Sequence, residues 1–241
     1  MDKLQCRLPF IFLLFLFFKV VVLFSQSVTN NEIFKAYDDL VGLENAGFFN
    51  GPEFKDEYAN SSGVSRYFNQ NIFFTDSAIE YNGQLYVNIP LEYDIFSDNV
   101  ITKSQDYLSN FIVRLIPEYI SKFTLEGHNF VKLTDSKLDL VGNGFYEIAS
   151  IGNQFKLYLK HIRKDKERTL ALSVQHSFTN QNYYLLQYEG SHYIISSIKD
   201  FKRVVPYRYK EIQKFRKDYK FMYKDDNYNF MIKLIEYLNG Y

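Results

Sequence analysis

Polar and apolar residues alternate most regularly across residues 78–102, AIEYNGQLYVNIPLEYDIFSDNVIT. The pattern predicts a strand, an Asn82-Gly83 turn, a second strand, a break at Pro90, a third extended run and a turn at Ser97-Asp98-Asn99. An Asn-Gly pair between alternating runs signals a hairpin, because both central residues of a type I′ turn need positive φ. Period two places Leu85, Val87 and Ile89 on one face and Tyr86 and Asn88 on the other, with Tyr86 as an outward-facing aromatic. By the same reasoning Glu92 and Asp94, two apart, point the same way from the wet face of the third run.

The same period recurs downstream. Residues 111–116 read as a strand stopped by Pro117, and 122–125 and 129–133 as short strands joined at Glu126-Gly127. Residues 145–151 and 154–162 form a hairpin about Gly152-Asn153, and 183–188 pairs with 192–197 across Glu189-Gly190-Ser191. The charged run 163–168 reads as a loop tip, with 169–174 continuing the sheet. Turn signals every 8–12 residues argue for a meandering antiparallel sheet, curved towards a half-barrel.

At both ends the period changes to that of a helix. Thr29-x-x-Glu32 fits a capping box, and Ile33, Phe34, Tyr37, Leu40 and Val41 make one apolar face over residues 29–44. Residues 48–70 form a turn-rich connection whose aromatic residues suit packing over the sheet edge. Near the C-terminus, Ser197-x-x-Asp200 opens a short helix stopped by Pro206. Two stripes follow, Ile212, Phe215, Tyr219 and Met222, then Phe230, Met231, Leu234, Ile235 and Leu238. The expected fold is α+β: a large curved antiparallel sheet with one N-terminal helix and two C-terminal helices. The expected organisation is a leader over 1–25 and a single domain over 26–241, divided into 26–70, 71–197 (the sheet) and 198–241 (the helical tail).

The first residues alter the location expected for this fold. Lys3 and Arg7 precede an almost wholly apolar run over 8–24, and Ser25-Gln26-Ser27 follows, as in a cleaved signal peptide. Lys19 interrupts the run and weakens a reading as a permanent span, since a mid-bilayer Lys costs about 2.5–3.5 kcal/mol on insertion scales. Cys6, the only cysteine, leaves with such a leader, so neither a disulfide framework nor a thiol nucleophile is expected. A periplasmic or secreted protein follows from these features. The whole chain balances 28 basic against 28 acidic residues, and loss of 1–25 leaves a net charge of −2, which gives no steering towards nucleic acid. Aromatic residues make up 19% of the chain, far too apolar a load for disorder.

Candidate chemistry is sparse. Glu92 and Asp94 are the acids a glycoside hydrolase would need, if a second carboxylate faced them across a cleft and one of the pair had a raised pKa. Asp225, Asn227, Asn229 and Glu236 have calcium-loop spacing, but Phe230 stands where that loop needs glycine, so the run reads as a helix start. His128, His161, His176 and His192 are dispersed, without zinc-site spacing. No metal or cofactor is therefore expected. Residues 199–224 carry ten basic and three acidic residues, and Arg208, Lys214 and Lys217 in that stretch suit an anionic lipid, polysaccharide or protein surface. Asp76-Ser77-Ala78 has the form of a short bacterial O-glycosylation acceptor, and Asn60-Ser61-Ser62 that of an N-glycosylation sequon.

The runs LVGLENAGFFNGPEF (40–54), YNGQLYVNIPLEYDIFSDNVI, FTLEGHNFVKL, GFYEI and FKRVVPYRYKEIQKF together resemble a set of exported proteins of Bacteroidetes-type bacteria to which no activity is assigned. The resemblance implies an envelope or secreted location and carries no site residue. With no catalytic constellation in view, the first expectation is a non-catalytic binding or accessory protein that uses an aromatic sheet face. The alternatives are a carrier of an apolar ligand in the half-barrel, and a glycan hydrolase working through Glu92 and Asp94.

Overall fold

The computed structural model describes residues 47–58, 61–69, 73–104, 111–135, 138, 141–169 and 174–240, which lie in the compact unit Gly47–Tyr241. The apolar leader, Cys6, the expected helix over 29–44 and Asn60 lie outside the described residues. No helix among the described residues is long and apolar enough to cross a membrane.

The turn chemistry builds the sheet as its sequence implies. Asn82 and Gly83 take φ of +50° and +79°, closing β2 (Ser77–Tyr81) onto β3 (Gln84–Val87). Glu126-Gly127 and Glu189-Gly190 repeat that geometry. The first joins β7 (Ile120–Leu125) to β8 (His128–Leu133), and the second joins β13 (Tyr183–Tyr188) to β14 (Ser191–Ile195). With β9 (Gly144–Ile151) and β10 (Phe155–Lys160) they make an eight-stranded sheet in the order β14-β13-β10-β9-β8-β7-β2-β3. Every pairing in it is antiparallel, and the sheet stays open rather than closing on itself.

Two excursions leave this meander. Between β3 and β7 the chain forms a separate antiparallel sheet of β4 (Leu91–Asp94), β5 (Asn99–Lys103) and β6 (Ile112–Arg114). Between β10 and β13 it forms a ribbon of β11 (Arg163–Thr169) and β12 (Val174–Asn180), joined by the short parallel β1 (Ser62–Gly63). Residues 163–168 are therefore a strand and not a loop tip. Their charges had masked the alternation that the pairing reveals.

Two assignments of face are corrected. Ile79 on β2 sits directly opposite Tyr86 on β3, so both share one face; Ile79 is fully buried and Tyr86 is 7% exposed, while Val87 is 40% exposed. Asn88 then takes φ +57°, which breaks the period-two phase and returns Ile89 to the core. The expected outward Tyr86 is thus an interior residue. Glu92 and Asp94 are also interior, because β4 is covered on both faces. Tyr93 packs its ring 5.4 Å from Phe123, 5.3 Å from Phe130 and 6.1 Å from Phe145 of the large sheet. Its neighbours Glu92 and Asp94 point the other way, beneath the chain that precedes β2. Asp98, in the β4–β5 turn, accepts from Tyr93 Oη at 2.5 Å and Lys160 Nζ at 2.8 Å, fastening this small sheet to β10.

At the C-terminus the capping box at Ser197 and Asp200 is present and leads into α1 (Phe201–Val204) ahead of Pro206. The stripe from Ile212 to Met222 runs through α2 (Tyr209–Asp218) and α3 (Lys220–Asp225), with Tyr219 out of helical geometry between them. Helix α4 (Asn227–Asn239) starts at Asp226, whose carboxylate accepts from the Asn229 N–H; the calcium-like spacing is a helix start. Phe201, Ile212, Phe230, Leu234 and Ile235 pack with Phe155, Leu157 and Leu186 of the large sheet. Ser77 is buried, with its hydroxyl on the carbonyls of Phe74 and Ile89, so the possible O-glycosylation acceptor is enclosed in the fold.

Candidate functional site

A cleft of about 350 Å³ opens between the β4–β6 sheet and the chain at residues 53–58 and Arg66. Gly51 makes it. A Cβ at Gly51 would stand 2.0 Å from the Arg114 carbonyl oxygen, so only glycine lets the chain approach β6 this closely. That approach allows the Phe54 N–H to reach the Ile112 carbonyl at 2.8 Å and the Arg114 N–H to reach the Pro52 carbonyl at 2.9 Å. Glu53, Phe54, Lys55, Glu57 and Tyr58 are then carried along one wall. Further on, the Ile95 N–H donates to the Arg66 carbonyl and the Phe68 N–H to the Tyr93 carbonyl, which sets Arg66 beside Asp94 at the cleft floor. Ser97, Asn99 and Arg114 complete the lining.

The floor is a buried ion pair inside aromatic rings. Arg66 is 4% exposed, and its guanidinium carbon lies 5.6, 5.1 and 4.7 Å from the ring centres of Phe54, Tyr58 and Tyr67. Its Nη2 is 3.2 Å from Asp94 Oδ2 and 3.4 Å from Asp56 Oδ1, and it donates to Tyr67 Oη at 2.9 Å; that hydroxyl donates to Asp56 Oδ2. Arg66 Nε is buried without a partner among the described residues. Asp94 is fully engaged. Its Oδ1 accepts from the N–H groups of Phe96 and Ser97, and its Oδ2 from the Ser97 hydroxyl at 2.6 Å. Burial raises its pKa against the pull of the Ser97 bonds and the Arg66 charge.

Glu92, one residue pair back on β4, is 2% exposed and does not line the cleft. Its Oε1 is buried without a partner among the described residues. Burial first, and the Asp94 charge second, push its carboxyl up to about 7, against the attraction of Arg66. The raised pKa that a general acid needs is therefore present, but this carboxyl is not among the residues that line the cleft.

A second polar centre lies on the core face of the large sheet. Glu147 of β9, also 2% exposed, accepts from His128 Nδ1 at 2.6 Å, His161 Nε2 at 2.6 Å and Tyr228 Oη at 2.5 Å. Burial alone would raise its pKa, but the three bonds outweigh burial and hold it below the usual carboxylate range. An ionised carboxylate only accepts, which fixes the protons on those imidazole nitrogens. Phe68 sets its ring edge-on to both imidazoles, at 5.2 and 5.3 Å.

Of the residues expected from sequence, Glu92 and Asp94 come together near the cleft floor, and the others lie elsewhere. Tyr86 is in the edge strand β3, buried. Arg208 is not a free surface cation. It forks onto Glu211 at 2.8 and 2.7 Å and donates to the Leu238 carbonyl at 2.5 Å, clasping the start of α2 to the end of α4. Lys214 and Lys217 are exposed on α2 and away from the cleft lining. Arg66, Arg114 and Tyr58 carry the site and were not singled out by sequence. The available signal was the run of rings Phe54, Tyr58, Tyr67 in a segment otherwise rich in turns. Comparison of the chain with protein-family models, with curated proteins and with solved structures returned no match, so the functional reading rests on this geometry.

Proposed function

We propose that the chain is a non-catalytic binding protein whose cleft takes a neutral, hydroxyl-rich segment of a polysaccharide. The observation that carries the reading is the balance of the wall. Lys55, Arg66 and Arg114 face Glu53, Glu57 and Asp94 around two rings, Phe54 and Tyr58. A ligand with net charge gains little from such a wall. Sugar hydroxyls both donate and accept, so each can meet a cation or an anion with a charge-assisted hydrogen bond. The apolar ring face of a sugar suits an aromatic side chain that is fixed in place. The volume sits at the small end of the roughly 300–1,000 Å³ range of small-ligand sites, which suits one or two sugar units.

Binding is favoured over hydrolysis by the state of the two acids. A glycosidase needs two reachable carboxyls flanking the bond, about 5–9 Å apart. Asp94 has its oxygens occupied and Glu92 is enclosed. Rings fill much of the core face of the sheet, which confines carriage of an apolar ligand to a hollow of about 380 Å³ lined by residues such as Leu85, Val131, Ile148 and Ile151. An exported protein of the cell envelope, as the leader and the sequence resemblance suggest, would meet such polysaccharides.

The test is calorimetric titration of the protein with neutral oligosaccharides of two to six units. Arg114→Ala and Tyr58→Ala are expected to weaken the best binder at least tenfold. Affinity unchanged in both variants would remove the cleft from consideration.

A further inference from the structure

We propose that the β11–β12 ribbon holds a divalent transition-metal site formed by Asp165, Glu167 and His176. Period two places Asp165 and Glu167 on one face of the strand RKDKERT, with Arg163 at its start, while Lys164, Lys166 and Arg168 fall on the other. His176 of β12 stands directly opposite Glu167 in the antiparallel register, so its imidazole joins the acidic face. One ligand atom from each of the three residues lies within 4.8 Å of the others. His176 Nδ1 and Asp165 Oδ2 are already 2.6 Å apart. A tetrahedral zinc with bonds of about 2.0–2.1 Å separates its ligand atoms by about 3.3 Å, so small side-chain adjustments complete the set.

Two further features favour a ligand over a simple hydrogen bond. Asp165 Oδ1 is buried and has no partner among the described residues, a cost that a cation beside the carboxylate would offset. Tyr58 sets its ring edge-on to the imidazole at 4.8 Å, which holds the ring in place before any metal arrives. Binding converts the Asp165–His176 hydrogen bond into two coordinate bonds. The imidazole then carries its proton on Nε2 and leaves Nδ1 to the metal. One imidazole and two carboxylates suit zinc, with remaining positions open to water. Sequence spacing gave no hint of this, because the ligands converge across a strand pair and not along one motif.

This site shares Tyr58 with the cleft wall but none of its three ligands line the cleft, and it is tested without a glycan. The tag-free full chain, stripped with chelator, is titrated with zinc sulfate and followed by calorimetry. One equivalent is expected to bind, and Glu167→Gln and His176→Ala are each expected to weaken it at least tenfold. Lys166→Ala, on the opposite face, is expected to bind as the wild type does. Glu167 is exposed, so its substitution leaves the fold intact even if that of His176 does not. Absence of saturable one-to-one binding, or binding unchanged in Glu167→Gln, overturns the proposal.

Discussion

Glu92 and Glu147 are buried to the same 2% exposure in two strands of one protein, yet their carboxyls are driven in opposite directions. Glu147 has three donors, from His128, His161 and Tyr228, and stays ionised. Glu92 is buried with no partner for Oε1 among the described residues and has an anion, Asp94, two residues on, so it holds its proton up to about 7. Burial sets the size of the penalty for charge, and the donors decide whether it is met. One carboxylate has become an organising centre between strands β8–β10 and helix α4. The other is tolerated under Arg66 because it can be neutral.

The larger consequence falls on the satisfied acid. Glu147→Ala leaves two imidazole donors and a tyrosine hydroxyl facing a void, and should cost roughly 3–5 kcal/mol in urea unfolding at pH 7. A loss under about 1 kcal/mol would show that the cluster is solvated and the contrast false. Because its folded pKa is depressed, the stabilisation from Glu147 is present above its unfolded value, near 4.5, and fades as pH falls through the folded one.

A smaller effect of opposite sign is expected at Glu92. Its folded pKa is raised, so its contribution is fully present below about 4.5 and is lost as pH rises through about 7. Glu92→Gln should therefore match the wild type at pH 4 and exceed it by about 3 kcal/mol at pH 8, as read from denaturation midpoints across pH. A constant difference at all pH values would mean that Glu92 ionises freely in the folded protein.

The same two residues show what the sequence could and could not reveal. Hairpins were legible because Asn82-Gly83, Glu126-Gly127 and Glu189-Gly190 are local signals with a local cause. The α+β class, with a large antiparallel sheet followed by C-terminal helices, was legible from hydrophobic period and turn signals together, whereas the sheet, expected to curve towards a half-barrel, is open. Facing failed where a distant segment intervened. Alternation says only that Glu92 and Asp94 share a side of β4, and the side becomes interior because residues 53–58 and 66–68 pack over it. Tyr86 was misassigned for a related reason: its face is set by pairing with Ile79, and the positive φ at Asn88 shifted the count for Ile89. Glu147 was beyond reach, since its donors come from β8, the end of β10 and α4. The charged ribbon β11–β12 was legible in principle through its alternating charges, but its lack of apolar residues made a loop the simpler reading.

The central claim is that the cleft binds without cutting, and that Glu92 is a buried strut and not an acid catalyst. The most direct measurement incubates wild type and Glu92→Gln with the oligosaccharides that bind, and follows both the dissociation constant and the release of reducing ends. The account predicts equal affinity within about twofold for the two proteins and no release by either. Turnover by the wild type that disappears in Glu92→Gln, with affinity retained, would contradict it.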